Sequence, residues 1–146
     1  MNPLDPTAFA VLERVHGHLA VLGLAVLVHP ILTLRRRGLS PRTRLTADLA
    51  ALLLGLPYLL GLFIYPTYRS GIKPGLVDQQ LAAAHAFETK EHLAVACIAL
   101  VVGGAAMLRL AGGLPQGRRA AWWLLLGGLV CGLCTAVLGV WVAAVG

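Results

Sequence analysis

Residues 121–145 read AWWLLLGGLVCGLCTAVLGVWVAAV, 25 consecutive positions without a charged side chain. A bilayer core of about 30 Å is crossed by roughly 20 apolar residues in a helix. This stretch is long enough to span it, and it reads as a transmembrane helix. Working back along the chain, three further stretches have the same character. Residues 93–108, LAVACIALVVGGAAML, are uncharged and form the apolar part of a helix over 81–110. Residues 45–65 contain one charge, Asp48, and residues 9–34 are apolar from Val15 onward. The expected architecture is all-α: an integral membrane four-helix bundle forming a single domain over residues 1–146.

Composition agrees. Hydrophobic residues make up 58% of the 146 positions and charged residues 12%, against about 25% charged in ordinary soluble domains. The connections at 35–44, 66–80 and 111–119 are short and rich in Gly and Pro, which are chain breakers. Short links make successive helices antiparallel neighbours, so the order is up-down-up-down. Met1-Asn2-Pro3-Leu4-Asp5-Pro6 has no basic region ahead of the apolar stretch. It reads as a helix start, with Asp5 as N-cap and Pro6 in the first turn, and the first apolar stretch is expected to stay in the mature protein.

The net charge of +6 comes from arginines gathered at helix ends. Arg35, Arg36, Arg37, Arg42, Arg44, Arg109, Arg118 and Arg119 fall on one side, and Arg14, Arg69, Lys73 and Lys90 on the other. Eight against four places the first set in the cytoplasm and both termini on the non-cytoplasmic side. In a bacterium this is a multi-pass protein of the inner (plasma) membrane, with the lipid bilayer as its first partner. With no soluble domain to present a basic patch, nucleic acid is not an expected partner. Cys97, Cys131 and Cys134 all lie in hydrophobic stretches, and the Cys131-x-x-Cys134 pair lacks the strand context of a redox domain. They read as small buried hydrophobes. No phosphate-binding loop, nucleophile elbow or His-Glu-x-x-His motif occurs.

Ionisable residues at membrane depth are functional candidates. All five histidines, His16, His18, His29, His85 and His92, lie on the first and third helices. His18 and His92 are each 17 residues from the arginine closing their helix, Arg35 and Arg109, or about 25 Å along the axis. Two histidines at one level on facing helices have the geometry of a bis-histidine haem b or a shared metal ion. His18 and His92 are therefore the expected cofactor ligands. His16, His18, His85, Glu88 and His92 form the expected ligand set for Fe, Cu or Zn.

His85, Glu88 and His92 are spaced i, i+3, i+7 on one helical face, which continues through Ala96, Ala99, Gly103 and Ala106. That small-residue stripe reads as helix packing first and as cofactor space second. Glu13-x-x-His16 has the ligand spacing of di-iron bundles, but the second and fourth helices supply no further glutamates. His29 precedes Pro30 and is expected to help satisfy the carbonyl that the proline frees. His16 and His29, 13 residues apart, resemble the paired histidines of four-helix, two-haem membrane cytochromes b. The third helix departs from that pattern, with Ile98 and Ala99 where a partner for His85 would stand.

Tyr65 and Tyr68 end the second helix on the side of this cluster. They read as interfacial belt residues or as hydrogen-bond partners of a quinone headgroup. Gly128, Gly132, Thr135 and Gly139 share a face of the fourth helix, which marks a tight crossing, or a contact with a second copy or a membrane-complex partner. Three functions follow in order: a haem- or metal-binding protein for electron transfer or metal handling, a non-catalytic subunit or assembly factor, and a small transporter or channel. The orientation is tested by fusing reporters after Val145. A reporter active only outside the cytoplasm is expected to work there, and activity of a cytoplasm-only reporter would reverse the topology.

Overall fold

The computed structural model describes residues 5–71, 74 and 81–145. Among them it contains four long helices and no strand: α1 (Pro6–Arg36), α2 (Pro41–Gly71), α3 (Leu81–Leu110) and α4 (Pro115–Val145). All four are long and apolar enough to cross a bilayer. Each runs for about 45 Å, beyond the hydrocarbon thickness, so the helix ends reach into the headgroup layers. The second connection, with Lys73, Gly75 and Asp78, lies largely outside the described residues.

Two helices begin earlier than hydropathy alone predicts. The α2 start at Pro41 is set by Ser40, whose Oγ accepts from the Thr43 N–H at 3.1 Å. In α4, Pro115 opens the helix ahead of the polar turn carrying Arg118 and Arg119. Proline suits the first helical position because its missing N–H has no intrahelical partner there. At α1 the expected cap is present: Asp5 Oδ2 accepts from Thr7 N at 3.1 Å and Ala8 N at 3.2 Å, with Pro6 following. Gly38, at φ +77°, makes the turn between α1 and α2, a backbone region that a side chain disfavours.

The helices form a ring in chain order. α1 packs on α2, α2 on α3, α3 on α4, and α4 closes against α1, while the backbones of the diagonal pairs α1/α3 and α2/α4 do not come close to one another among the described residues. The main core draws on all four: Leu24, Leu27 and Ile31, then Ala47, Ala50 and Leu54, then Cys97, Val101, Ala105 and Leu108, then Ala121 and Leu125. A second, smaller core at the other end joins Ala83, Ala84, Ala86 and Phe87 to Val142, with Tyr65, Tyr68 and Leu138 against it.

The glycine face of α4 forms the tight crossing inside the bundle. A Cβ on Gly128 would stand 2.5 Å from Val101 Cγ2 and 3.3 Å from the Cys97 carbonyl oxygen. One on Gly132 would meet Leu24 Cδ2 at 2.5 Å and Cys97 Sγ at 3.1 Å. Gly128 and Gly132 are buried, and Gly139 faces Lys90. Of the two expectations for this face, a tight crossing or a contact with another chain, the structure shows the tight crossing: α3 and α1 pack against Gly128 and Gly132, and α3 against Gly139.

His29 also differs from expectation. Its Nδ1 donates to Thr46 Oγ1 at 3.0 Å, bridging α1 to α2. Thr46 gives its own proton to the Arg42 and Thr43 carbonyls, so the imidazole must be the donor. Trp122 ties α4 to α1 through Nε1–H to the Ile31 carbonyl at 3.1 Å. Asp48 and Arg109 join α2 to α3 in a two-point pair of 3.0 and 2.6 Å.

The crossing at Gly128 generates a direct test. Gly128→Ala is expected to destabilise the bundle by about 1–3 kcal/mol through overpacking against a stiff valine. Gly127→Ala, whose Cβ would make an ordinary 3.4 Å contact with Leu100, is expected to be neutral or stabilising. Thermal unfolding in detergent compares the two, and equal midpoints would refute the account.

Candidate functional site

Helical geometry sorts the polar residues of α1 and α3 into two sets. His18 is nine residues from Leu27, and His92 nine from Val101. Nine residues are two and a half turns, so each histidine lies opposite a fully buried core residue. Both are exposed. His18 lines a shallow surface depression formed by α1 residues alone, with Arg14, Val21 and Ala25 among them. Because α1 and α3 are diagonal and these faces point outward, one chain does not bring His18 and His92 together. The pair does not fit a haem or metal ion held within a single bundle.

The rest of the α3 set follows His92. His85 and Glu88 are exposed, with His85 Nδ1 3.8 Å from Glu88 Oε2, and Ala96, Ala99, Gly103 and Ala106 continue the same outward face without being buried. The stripe is therefore not packed in the core, where the first expectation placed it. Among the described residues, no three His, Cys, Asp or Glu side chains group closely enough to hold a metal ion.

The inward set has a matching spacing. His16 is 11 residues from Leu27, and Lys90 is 11 from Val101. Three turns put each on the core face. Both stand 19 residues from the arginine closing their helix, hence at one level, about 28 Å along the axis. His16 is half-buried, and its Nδ1 donates to the Pro57 carbonyl at 2.8 Å. The bond fixes the tautomer and leaves Nε2 as an acceptor. Gly61 makes room for the ring: a Cβ there would lie 3.3 Å from His16 Cε1.

Lys90 is the centre of the site. Its stem runs past Gly139 of α4, and its ammonium lies 4.4 Å from the centroid of the Phe87 ring, a cation–π contact. Phe87 stacks on Tyr68 of α2 at 4.0 Å and 11°. Glu13 and Glu91 both act electrostatically on Lys90, and Lys90 on His16. The Tyr68 hydroxyl is buried and, among the described residues, has no hydrogen-bond partner. A buried polar atom without a partner is uncommon in a folded protein.

The site thus gathers Glu13 and His16 from α1, Tyr65 and Tyr68 from α2, Phe87, Lys90 and Glu91 from α3, and Gly139 from α4. It presents cationic and phenolic donors, an imidazole acceptor and two carboxylates around an aromatic pair. Of the expected ligands only His16 belongs to it. Lys90 reads from sequence as a solvated interfacial charge. The signal that identifies it is its register with Val101, which becomes decisive once the buried face of α3 is known. Below the site, Leu24, Leu54, Cys97 and Val101 close the bundle with apolar side chains, so no polar path crosses it among the described residues.

No protein-family model matches this chain, and no curated protein or solved structure matches it either.

Proposed function

We propose that this four-helix membrane protein binds a quinone headgroup at the Lys90–Tyr68–His16 site and serves membrane electron transfer as a quinone-binding subunit. The observation carrying this reading is the buried Tyr68 hydroxyl, unpartnered among the described residues, on a ring that stacks on Phe87, the same ring the Lys90 ammonium contacts. A quinone ring offers two carbonyl oxygens, which need donors. Tyr68 O–H and the Lys90 ammonium are donors, and the Tyr68–Phe87 pair gives a flat ring an aromatic neighbour. The bond from His16 Nδ1 to the Pro57 carbonyl leaves Nε2 to accept a proton from a quinol hydroxyl, with Glu13 acting on the ring to stabilise the resulting imidazolium. The site is near the end of the spans, where a lipid-borne headgroup is reached from the bilayer.

Binding of a short-chain benzoquinone to detergent-purified protein, followed by quenching of tryptophan emission, tests it. Tyr68→Phe removes one hydrogen bond and is expected to weaken binding about tenfold. Lys90→Met is expected to weaken it at least as much. Wild-type protein that binds no quinone, or variants that bind it equally well, would end the proposal.

A second reading retains the histidines on the outward faces. His18 Nδ1 donates to the Arg14 carbonyl and His92 Nδ1 to the Glu88 carbonyl, each at 2.7 Å. Both rings therefore present Nε2 as a free acceptor, the arrangement in which a metal-bound histidine is oriented by its other nitrogen. Haem b, or an Fe, Cu or Zn ion, would then be held between chains, by His18 of one copy and His92 of another. Absorbance of oxidised and dithionite-reduced protein, with metal analysis, is expected to show a haem band or stoichiometric metal that His92→Ala removes. Colourless, metal-free protein purified without chelators would refute this reading and leave the quinone proposal standing.

A further inference from the structure

At the opposite end of the bundle, the two short loops and the adjacent turns of α2, α3 and α4 enclose an open groove of about 740 Å³. Its charge comes from Arg44, Arg109 and Arg118 against the single acid Asp48. Asp48 is already held by Arg109 in the two-point pair. Arg118 donates through Nη1 to the Gly112 and Gly113 carbonyls at 3.4 and 3.2 Å, which holds its guanidinium at the groove while leaving other N–H groups free. Arg44 forms no ion pair among the described residues. The groove therefore carries uncompensated positive charge on at least one held guanidinium and one unpaired one.

Its other walls are apolar. Leu39 and Leu45 line it, and Leu45, Leu110 and Leu114 are exposed beside it, Leu110 to 87%. A site for a free small anion has no use for such a border, whereas a phospholipid presents a phosphate and an acyl chain together. The groove lies where α1 and α3 end and α2 and α4 begin, the depth at which lipid phosphates meet a spanning helix. Trp122 and Trp123 begin the apolar part of α4 one turn further in, the usual place of an interfacial aromatic belt.

We infer that this groove binds the headgroup of an anionic phospholipid, its phosphate between Arg44 and Arg118 and its acyl chain along Leu39 and Leu45. Basic pockets between membrane helices recognise acidic headgroups in this way. Arginine suits the role because its fork of N–H donors matches phosphate oxygens. The site is independent of the Lys90 cluster, being separated from it by the apolar core.

The test is native mass spectrometry of the delipidated full chain in neutral detergent, titrated with phosphatidylglycerol, phosphatidylcholine or inorganic phosphate. Phosphatidylglycerol is expected to bind at least tenfold more tightly than phosphatidylcholine. Arg44→Gln, which disturbs no side-chain bond among the described residues, is expected to reduce that preference at least fivefold, and Arg118→Gln to reduce it similarly. Arg119→Gln removes the same charge just outside the groove and is expected to leave it unchanged. Equal binding of the two lipids, or an equal loss in the Arg119 variant, would overturn the inference by showing diffuse attraction only. Inorganic phosphate displacing the lipid at comparable concentration would also overturn it, by making the occupant a free anion.

Discussion

The close approach of α4 to α3 at Gly128 and Gly132 sets the rotation of α3, and the rest of the functional geometry depends on that rotation. With Val101 and Cys97 seated against the glycines, α3 turns Phe87, Lys90 and Glu91 toward the other helices and His85, Glu88 and His92 away from them. Turned by half a revolution, the same helix would bury the histidines and expose the lysine. The crossing does not rely on a hydrophobic difference between core and surroundings, because lipid tails are as apolar as the side chains they replace. Its basis is the shape of two glycines, of which Gly128 admits Val101 and Gly132 admits Cys97 and Leu24.

Two polar ends result, separated by a dry centre. At one end, charges from α1 and α3 converge with half-buried tyrosines from α2. At the other, arginines stand on the rim beside exposed leucines. Leu27, Val101, Leu108 and Leu125 between them are fully buried. This separation argues against a conduction path through one chain, and it keeps the quinone and the phospholipid proposed above at separate ends. A lipid-borne ring needs donors sheltered from water, and a lipid phosphate needs fixed cations at the membrane surface.

Histidine also carries structural duties that its chemistry alone does not reveal. His29 clips α1 to α2 through Thr46, and His16 does so through the Pro57 carbonyl. Within a bilayer each polar group must find its partner in the protein, so an intramembrane histidine serves as a clip as readily as a ligand. The His16 bond to Pro57 uses only one ring nitrogen, and the proposed quinone site draws on the other.

Residue content alone determined that four helices span the membrane, because length and apolarity are local properties of each stretch. It also determined the Asp5 cap, the antiparallel order and the gathering of arginines at one end. It placed α3 within its observed bounds but began α2 and α4 too late, since hydropathy marks where a helix enters lipid and not where Ser40 or Pro115 starts it. Which face of each helix looks inward was decided only in the tertiary structure. In a soluble bundle, an apolar stripe would have shown the core side. Here the lipid-facing and core-facing sides of α3 and α4 are equally apolar, so residue content favoured His92 as a ligand and left Lys90 as an interfacial charge, until the Gly128–Val101 contact turned Lys90 inward and His92 outward.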